Sequence, residues 1–212
     1  MARPWIEFIE TEELEPEHVE ERTWFGAVRR LLSQDDQSGA VSSVLDCHPL
    51  WAADLSAESG LLELLVVEGE VLAQGIRLGR GGYLRAEDAG MVEQLEAVVE
   101  TRLLVLHDPA FEAPGGARPV EVLDTERMPY TQPTLGLPAG ICVKMLNADP
   151  GRGPVSLLAC NVARYGSGPE FHSCPEEIYV LGGDATGRQT YEPSVIVPKR
   201  PEFISHGPGW SE

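Results

Sequence analysis

The stretch "PEFHSCPEEIYVLGGD", Pro169 to Asp184, sets one histidine, His172, between the carboxylates Glu170 and Glu176, just ahead of a short apolar run that stops at a glycine pair. Imidazole beside carboxylate is a donor set for a divalent metal or for proton transfer. The same residues also fit a strand with a polar approach. In extended chain, residues two apart share a face. Glu170, His172 and Cys174 then project together, and Glu176 leads an apolar row with Ile178 and Val180, against Glu177, Tyr179 and Leu181. A carboxylate heading such a row is costly unless a cation or a hydrogen-bond donor meets it.

The elements that must hold these residues emerge from an internal repeat. "GAVRRLLSQDDQSGAVSSVL" from Gly26 aligns with "GICVKMLNADPGRGPVSLLA" from Gly140, a shift of 140 − 26 = 114. That shift pairs Arg30 with Lys144, Asp35 with Asp149, Gly39 with Gly153 and Ser42 with Ser156. Without a gap it also pairs "ELLVVEGE" from Glu63 with "EIYVLGGD" from Glu177. Two separated matches at one spacing mark a repeated unit.

Each copy holds short strand-like stretches between turns, the pattern of a sandwich or closed barrel. "MVEQLEAVVETRLLVLHDPAF" fits a helix at Met91, Leu95, Val98 and Val99 and a strand from Thr101 to Leu106, and the later part is taken as a strand closing the first barrel. "GRGGY" is a turn between strands, and "EAPGGARP", Glu112 to Pro119, is a linker. The copy of "TRLLVLHD" would begin at residue 215, so the second barrel needs a strand from elsewhere. An exposed edge invites pairing. "WIEFIE" near the N-terminus, or another subunit in a homodimer, is expected to cover it.

The bulk composition narrows the partners. Among 212 residues, 16 Lys and Arg face 34 Asp and Glu, a formal net charge of -18. Such a chain repels phosphate backbones and anionic lipid surfaces, so neither nucleic acid nor a membrane is an expected partner. The start has no apolar core after its single early arginine, and no run of 18 apolar residues occurs, so a cytoplasmic location is expected. Cys47, Cys142, Cys160 and Cys174 form no C-x-x-C pair and are expected to be reduced, mostly buried thiols. His18, His48 and His107 have no partner at ligand spacing, and no G-x-S-x-G elbow or P-loop occurs.

Glu170-x-His172-x3-Glu176-x6-Gly183 resembles the first motif of the cupin superfamily, and "VPKRPEFISHGP" resembles the second, in which a histidine, here His206, follows a proline-bearing turn. With the repeat, the chain is similar to bicupins grouped with acetylacetone-cleaving dioxygenases and to the cupin-like domain of ChrR anti-sigma factors. The resemblance implies an all-β tandem of jelly-roll barrels, with a degenerate barrel at 1–111 and a metal-bearing one at 120–212. It implies His172, Glu176 and His206 as metal ligands, with Glu170 joining them or acting as catalytic base. Glu170 stands where the family has its first histidine, and Tyr165 where it has a glycine, with Gly166 and Gly168 nearby.

Two imidazoles and one carboxylate suit Fe(II), the ion expected first, and also Zn(II); an added carboxylate hardens the set toward Mn(II). The implied activity is an Fe(II) dioxygenase-like reaction on a small carbonyl or diketone substrate, walled by Met145, Ile178, Val180 and Ile204. A non-catalytic sensor that binds a metal or small ligand is the other class the resemblance admits. At the 114 shift His172 meets Glu58 and Glu176 meets Leu62, so no metal is expected in the first barrel. Glu177, the mate of Glu63, is expected to be an outward, structural carboxylate.

Overall fold

The computed structural model describes residues 6–132, 140–161, 170–172, 176–182, 202–206 and 209–211, with side chains described at 9–132, 140–161 and 177–182. Among the described residues there is no α-helix, only strands and short 3-10 turns. The chain runs through β1 (Ile6–Glu10), β2 (Glu17–His18), β3 (Val28–Gln34), β4 (Val41–Cys47), β5 (Leu61–Glu68), β6 (Glu70–Ala73), β7 (Ile76–Gly79), β8 (Gly82–Ala86), β9 (Leu95–Ala97) and β10 (Thr101–Asp108). It continues through β11 (Glu121–Asp124), β12 (Ile141–Asn147), β13 (Ser156–Asn161), β14 (Glu170–His172), β15 (Glu176–Tyr179), β16 (Glu202–His206) and β17 (Gly209–Ser211). No helix among the described residues is long and apolar enough to cross a membrane.

One sheet has the order β11-β8-β5-β10-β4-β3-β2, and a smaller one the order β7-β6-β9. Their facing sides enclose one apolar core. The inward row of β5, Leu62, Leu64 and Val66, packs there with Leu45, Leu84 and Leu103 from neighbouring strands and Val71, Ala73 and Leu78 from the smaller sheet. Trp24 and Trp51 stack at its end, with ring centroids 6.2 Å apart and planes 7° from parallel. The Trp51 indole N–H donates to the Phe25 carbonyl at 3.0 Å, so the one polar atom of a nearly buried ring is satisfied.

The ambiguous stretch after Met91 is not a helix. Ala89–Met91 is a 3-10 turn, β9 follows, and β10 crosses the large sheet between β5 and β4. Tertiary pairing overrides the helical spacing there: the β9 residues bond to β6, and the Ala97 backbone bonds to Trp51 and Leu50. The turn expected in "GRGGY" lies between β7 and β8, with Gly81 at φ 78°, left-handed backbone that glycine adopts without strain.

Two hairpins lie close to 114 positions apart. β3 and β4 make one antiparallel hairpin, β12 and β13 another. The turn before β4 bonds Asp35 Oδ1 to the Gln37 N–H, and the turn before β13 bonds Asp149 Oδ1 to the Gly151 N–H, two residues on in each. Glu17 pairs with Arg29 beside β3, and Thr131 with Val143 beside β12.

The first strand of each half pairs with the other half. β11 lies on the outer side of β8, and β1 on the outer side of β16. Ile6–Glu10, within "WIEFIE", covers an edge in the later half, but at β16 rather than in the place expected for the missing closing strand. Among the described residues no strand stands between β15 and β13, where the first sheet has β10 between β5 and β4. Burial differs accordingly: Val44, Leu45 and Cys47 on β4 are buried, whereas most of β13 is exposed. Among the described cysteines Cys47 is buried, Cys142 half-buried and Cys160 exposed, contrary to the expectation of mostly buried thiols.

Candidate functional site

The sequence motif falls on two strand pairs. β15 pairs antiparallel with β16, setting Glu176 opposite His206, Glu177 opposite Ser205, Ile178 opposite Ile204 and Tyr179 opposite Phe203. β14 pairs with β17, setting His172 opposite Gly209 and Glu170 opposite Ser211. Residues directly opposite in an antiparallel ladder share a face, with Cβ atoms about 4.5–5.5 Å apart. Register therefore puts Glu176 and His206 side by side although 30 positions separate them. The side chains of Glu170, His172, Glu176, Ile204 and His206 lie outside the described residues, as do Tyr165, Gly166, Gly168, Cys174 and Gly183.

The face on which the Glu176–His206 pair sits follows from its neighbours. Glu177 accepts hydrogen bonds from Ser33 and, at 2.5 Å, from Ser42, both in the first half. Tyr179 packs on Leu32 and Val44 of the same half. Alternation along β15 then assigns Glu176 and Ile178 to the opposite face. The corresponding ladder of the first half sets Leu62 opposite Ala86, both in the apolar core. Where the first half has an aliphatic pair, the second has a carboxylate and an imidazole.

Glu177 is turned away from its own sheet, as expected, but into the junction of the halves rather than to solvent. Its mate Glu63 does the converse. The Glu63 carboxylate is 2 % exposed, accepts from Ser156 Oγ at 2.5 Å and from Arg85 Nε at 3.1 Å, and is pushed above the usual carboxylate range by burial. Arg85 also donates to Glu87 at 3.0 Å, and Arg152 from the later half donates to Glu87 Oε1 at 2.7 Å. The Arg152 hydrogen bonds, aided by the Arg118 N–H and Arg85, hold the Glu87 carboxyl down at about 2. This network escaped sequence reading, since Glu63, Arg85, Glu87 and Arg152 come from separate elements that only the folded chain brings together. The signal was present in Glu63 alone, a carboxylate inside the apolar run "LLELLVV".

Other candidates are accounted for locally. Glu58, the shift mate of His172, accepts from Thr23. The ring nitrogens of His48 and His107 meet the carbonyls of Pro49 and Ser59, and His18 is exposed on β2. Among the described residues no three His, Cys, Asp or Glu side chains cluster at metal-binding distance. A cleft of about 260 Å³ beside Ser59, Phe111 and Gly116 ends on Glu87, whose oxygens already serve the two arginines. The apolar wall expected around the site is open on the described side: Ile178 is 39 % and Met145 37 % exposed.

No protein-family model matches the sequence, and no curated protein matches it. Solved structures do match in fold. A putative dioxygenase of Nostoc punctiforme superposes with a TM-score of 0.68 at 18 % identity, over 99 % of this chain and 76 % of the other. Ylba of E. coli gives 0.61 at 16 % identity over 96 % and 83 %. The Putative Glyoxylate Induced Protein of Pseudomonas aeruginosa gives 0.63 at 18 % over 96 % and 85 %. The chain shares their fold along nearly its whole length, in agreement with the expected all-β architecture.

Proposed function

We propose that this chain is a bicupin, a tandem duplication whose second barrel carries one divalent metal ion and acts as an Fe(II) dioxygenase-like enzyme on a small carbonyl or diketone substrate. The observation that carries the reading is the register of Glu176 against His206, at the position where the first half has Leu62 against Ala86. An aliphatic pair at that place fills a core; an ionisable pair there requires a partner. The duplication is supported by matching hairpins, turns and bridges at the 114 shift. The likeness to a dioxygenase-titled structure favours the oxygen chemistry over other metal chemistries.

His172, Glu176 and His206 would hold the ion, two imidazoles and a carboxylate that leave positions open for substrate. When bound, the metal supplies Lewis-acid polarisation and a template for the substrate oxygens. Glu170 either joins the ligands or takes the proton from the carbon between two carbonyls, a task suited to a carboxylate close to that carbon. The first half contributes position: Ser33 and Ser42 hold Glu177, which fixes the rotation of β15 and with it the face that Glu176 shares with His206.

Metal analysis of protein purified without added metal tests the reading. Iron near one per chain, with oxygen uptake on a panel of diketones, is the expected result. Tight zinc with no oxygen uptake replaces the enzyme by a metal-binding sensor of the ChrR type. No metal after loading with Fe(II), Mn(II) and Zn(II) in turn overturns both.

A further inference from the structure

We propose that Cys142 and Cys160 are a redox-responsive dithiol that closes to a cross-strand disulfide under hydroperoxide and reopens under a dithiol reductant. The two residues are direct partners in the β12–β13 ladder. Val143 exchanges both backbone hydrogen bonds with Thr131, at 2.9 and 2.8 Å. The N–H and C=O of its neighbour Cys142 therefore turn the other way, to β13, which makes Cys142 and Cys160 a hydrogen-bonded pair. Cα atoms in such a pair lie about 5.5 Å apart, inside the roughly 4.4–6.8 Å range of disulfides.

Cβ atoms of opposite residues stand about 4.5–5.5 Å apart, whereas a relaxed bridge holds them at about 3.5–4.5 Å. Closing the bond draws the strands together, and a bridge formed against such resistance is more readily reduced. That suits a reversible switch better than a permanent staple. Access favours the same pair. Cys160 is exposed and Cys142 half-buried, while Cys47 is 1 % exposed with its thiol pushed up to about 12 by burial and the nearby Asp46. The fold itself does not require sulfur here, because the first half places Val28 opposite Asp46 at the matching positions.

The chemistry balances with a hydroperoxide as oxidant. The Cys160 thiolate attacks the terminal peroxide oxygen, the O–O bond breaks, and an alcohol or water leaves with the other oxygen. Cys142 sulfur then attacks the Cys160 sulfenic sulfur, the S–OH bond breaks, and water leaves. Two thiols have lost two electrons and two protons, and the peroxide has been reduced by two electrons. The hairpin from 142 to 160, the more exposed of the two equivalent hairpins, is then tied at its open end.

Full-length protein, reduced and then titrated with hydrogen peroxide, is alkylated, digested with trypsin without reductant and weighed by mass spectrometry. Peptides 128–144 and 153–164 should appear joined, lighter by two hydrogens than their sum, in the fraction that migrates as one chain, and should separate after dithiothreitol. In Cys142→Ser the joined species should vanish and Cys160 should take up a sulfenic-acid probe such as dimedone. The proposal fails if the two peptides are recovered only unjoined, if Cys160 links two chains, or if it joins the Cys174 peptide 165–188 instead.

Discussion

Glu63 and Glu177, 114 positions apart, each accept a hydrogen bond from a serine of the opposite half: Ser156 binds Glu63, and Ser42 binds Glu177, both at 2.5 Å. The serines are themselves 114 apart, so the junction between the halves is reciprocal. A hydroxyl donating to a charged, largely desolvated acceptor contributes more than an average hydrogen bond. Ser42→Ala and Ser156→Ala should each lower stability by about 1–3 kcal/mol. Urea unfolding checks this, and unchanged midpoints for both would remove the junction from the account of what holds the halves together.

Acid should weaken the protein through Glu87. Its folded carboxyl sits at about 2, below its ordinary 4.5, chiefly because Arg152 donates to it. Stability from this group is present above pH 4.5 and is lost as pH falls through about 2. Glu87→Gln should erase that acid limb and, by leaving Arg85 and Arg152 short of a counter-charge, cost on the order of 3 kcal/mol at neutral pH. Glu63 works in the opposite sense: burial raises its folded value, so its contribution is full below pH 4.5 and declines as pH rises through the raised value. Glu63→Gln should flatten that higher-pH decline. Thermal midpoints measured across pH distinguish the two.

Two glycines with similar backbone should respond differently to alanine. Gly69 (φ 85°) and Gly75 (φ 75°) are both left-handed. A Cβ on Gly69 would stand 2.3 Å from the Glu100 carbonyl oxygen and 2.7 Å from the Thr101 Cα, whereas Gly75 has open space. Gly75→Ala should cost about 1–2 kcal/mol for the conformation alone, and Gly69→Ala clearly more. Equal midpoints in denaturant would contradict the close approach of the β5–β6 turn to β10.

Making the second ladder resemble the first should abolish the proposed metal binding and spare the fold. Glu176→Leu combined with His206→Ala reproduces the Leu62–Ala86 pair. Metal content should fall to background while the far-ultraviolet circular dichroism keeps its β spectrum. His48→Ala, whose ring meets only the Pro49 carbonyl, should retain full metal. Retention of metal by the double variant would detach the ion from this ladder.

The strands were legible where local signals agreed with pairing. "ELLVVEGE" is a short apolar run that ends at a glycine with φ 85°, and it is the greater part of β5 with its turn. The segment after Met91 misled because helical spacing and a short edge strand look alike over nine residues; only its pairing with β6 decides it. The resemblance to the cupin motifs singled out Glu176 and His206, and the structure sets them opposite each other on one ladder. Sequence anticipated a crossing of "WIEFIE" into the later half but not the reciprocal crossing of β11, whose four residues carry no mark of their partner. Nor could it reveal Cys142 beside Cys160: strand register, not distance along the chain, makes them neighbours.

Because β1 pairs with β16 and β11 with β8, each half is finished by the other's leading strand. A proteolytic nick in the linker 112–119 would therefore yield interlocked fragments that migrate together until denatured. Such mutual completion makes each half depend on the other for an edge strand. Deleting the half that bears Leu62 and Ala86 would strip the outermost strand from the sheet that carries Glu176 and His206.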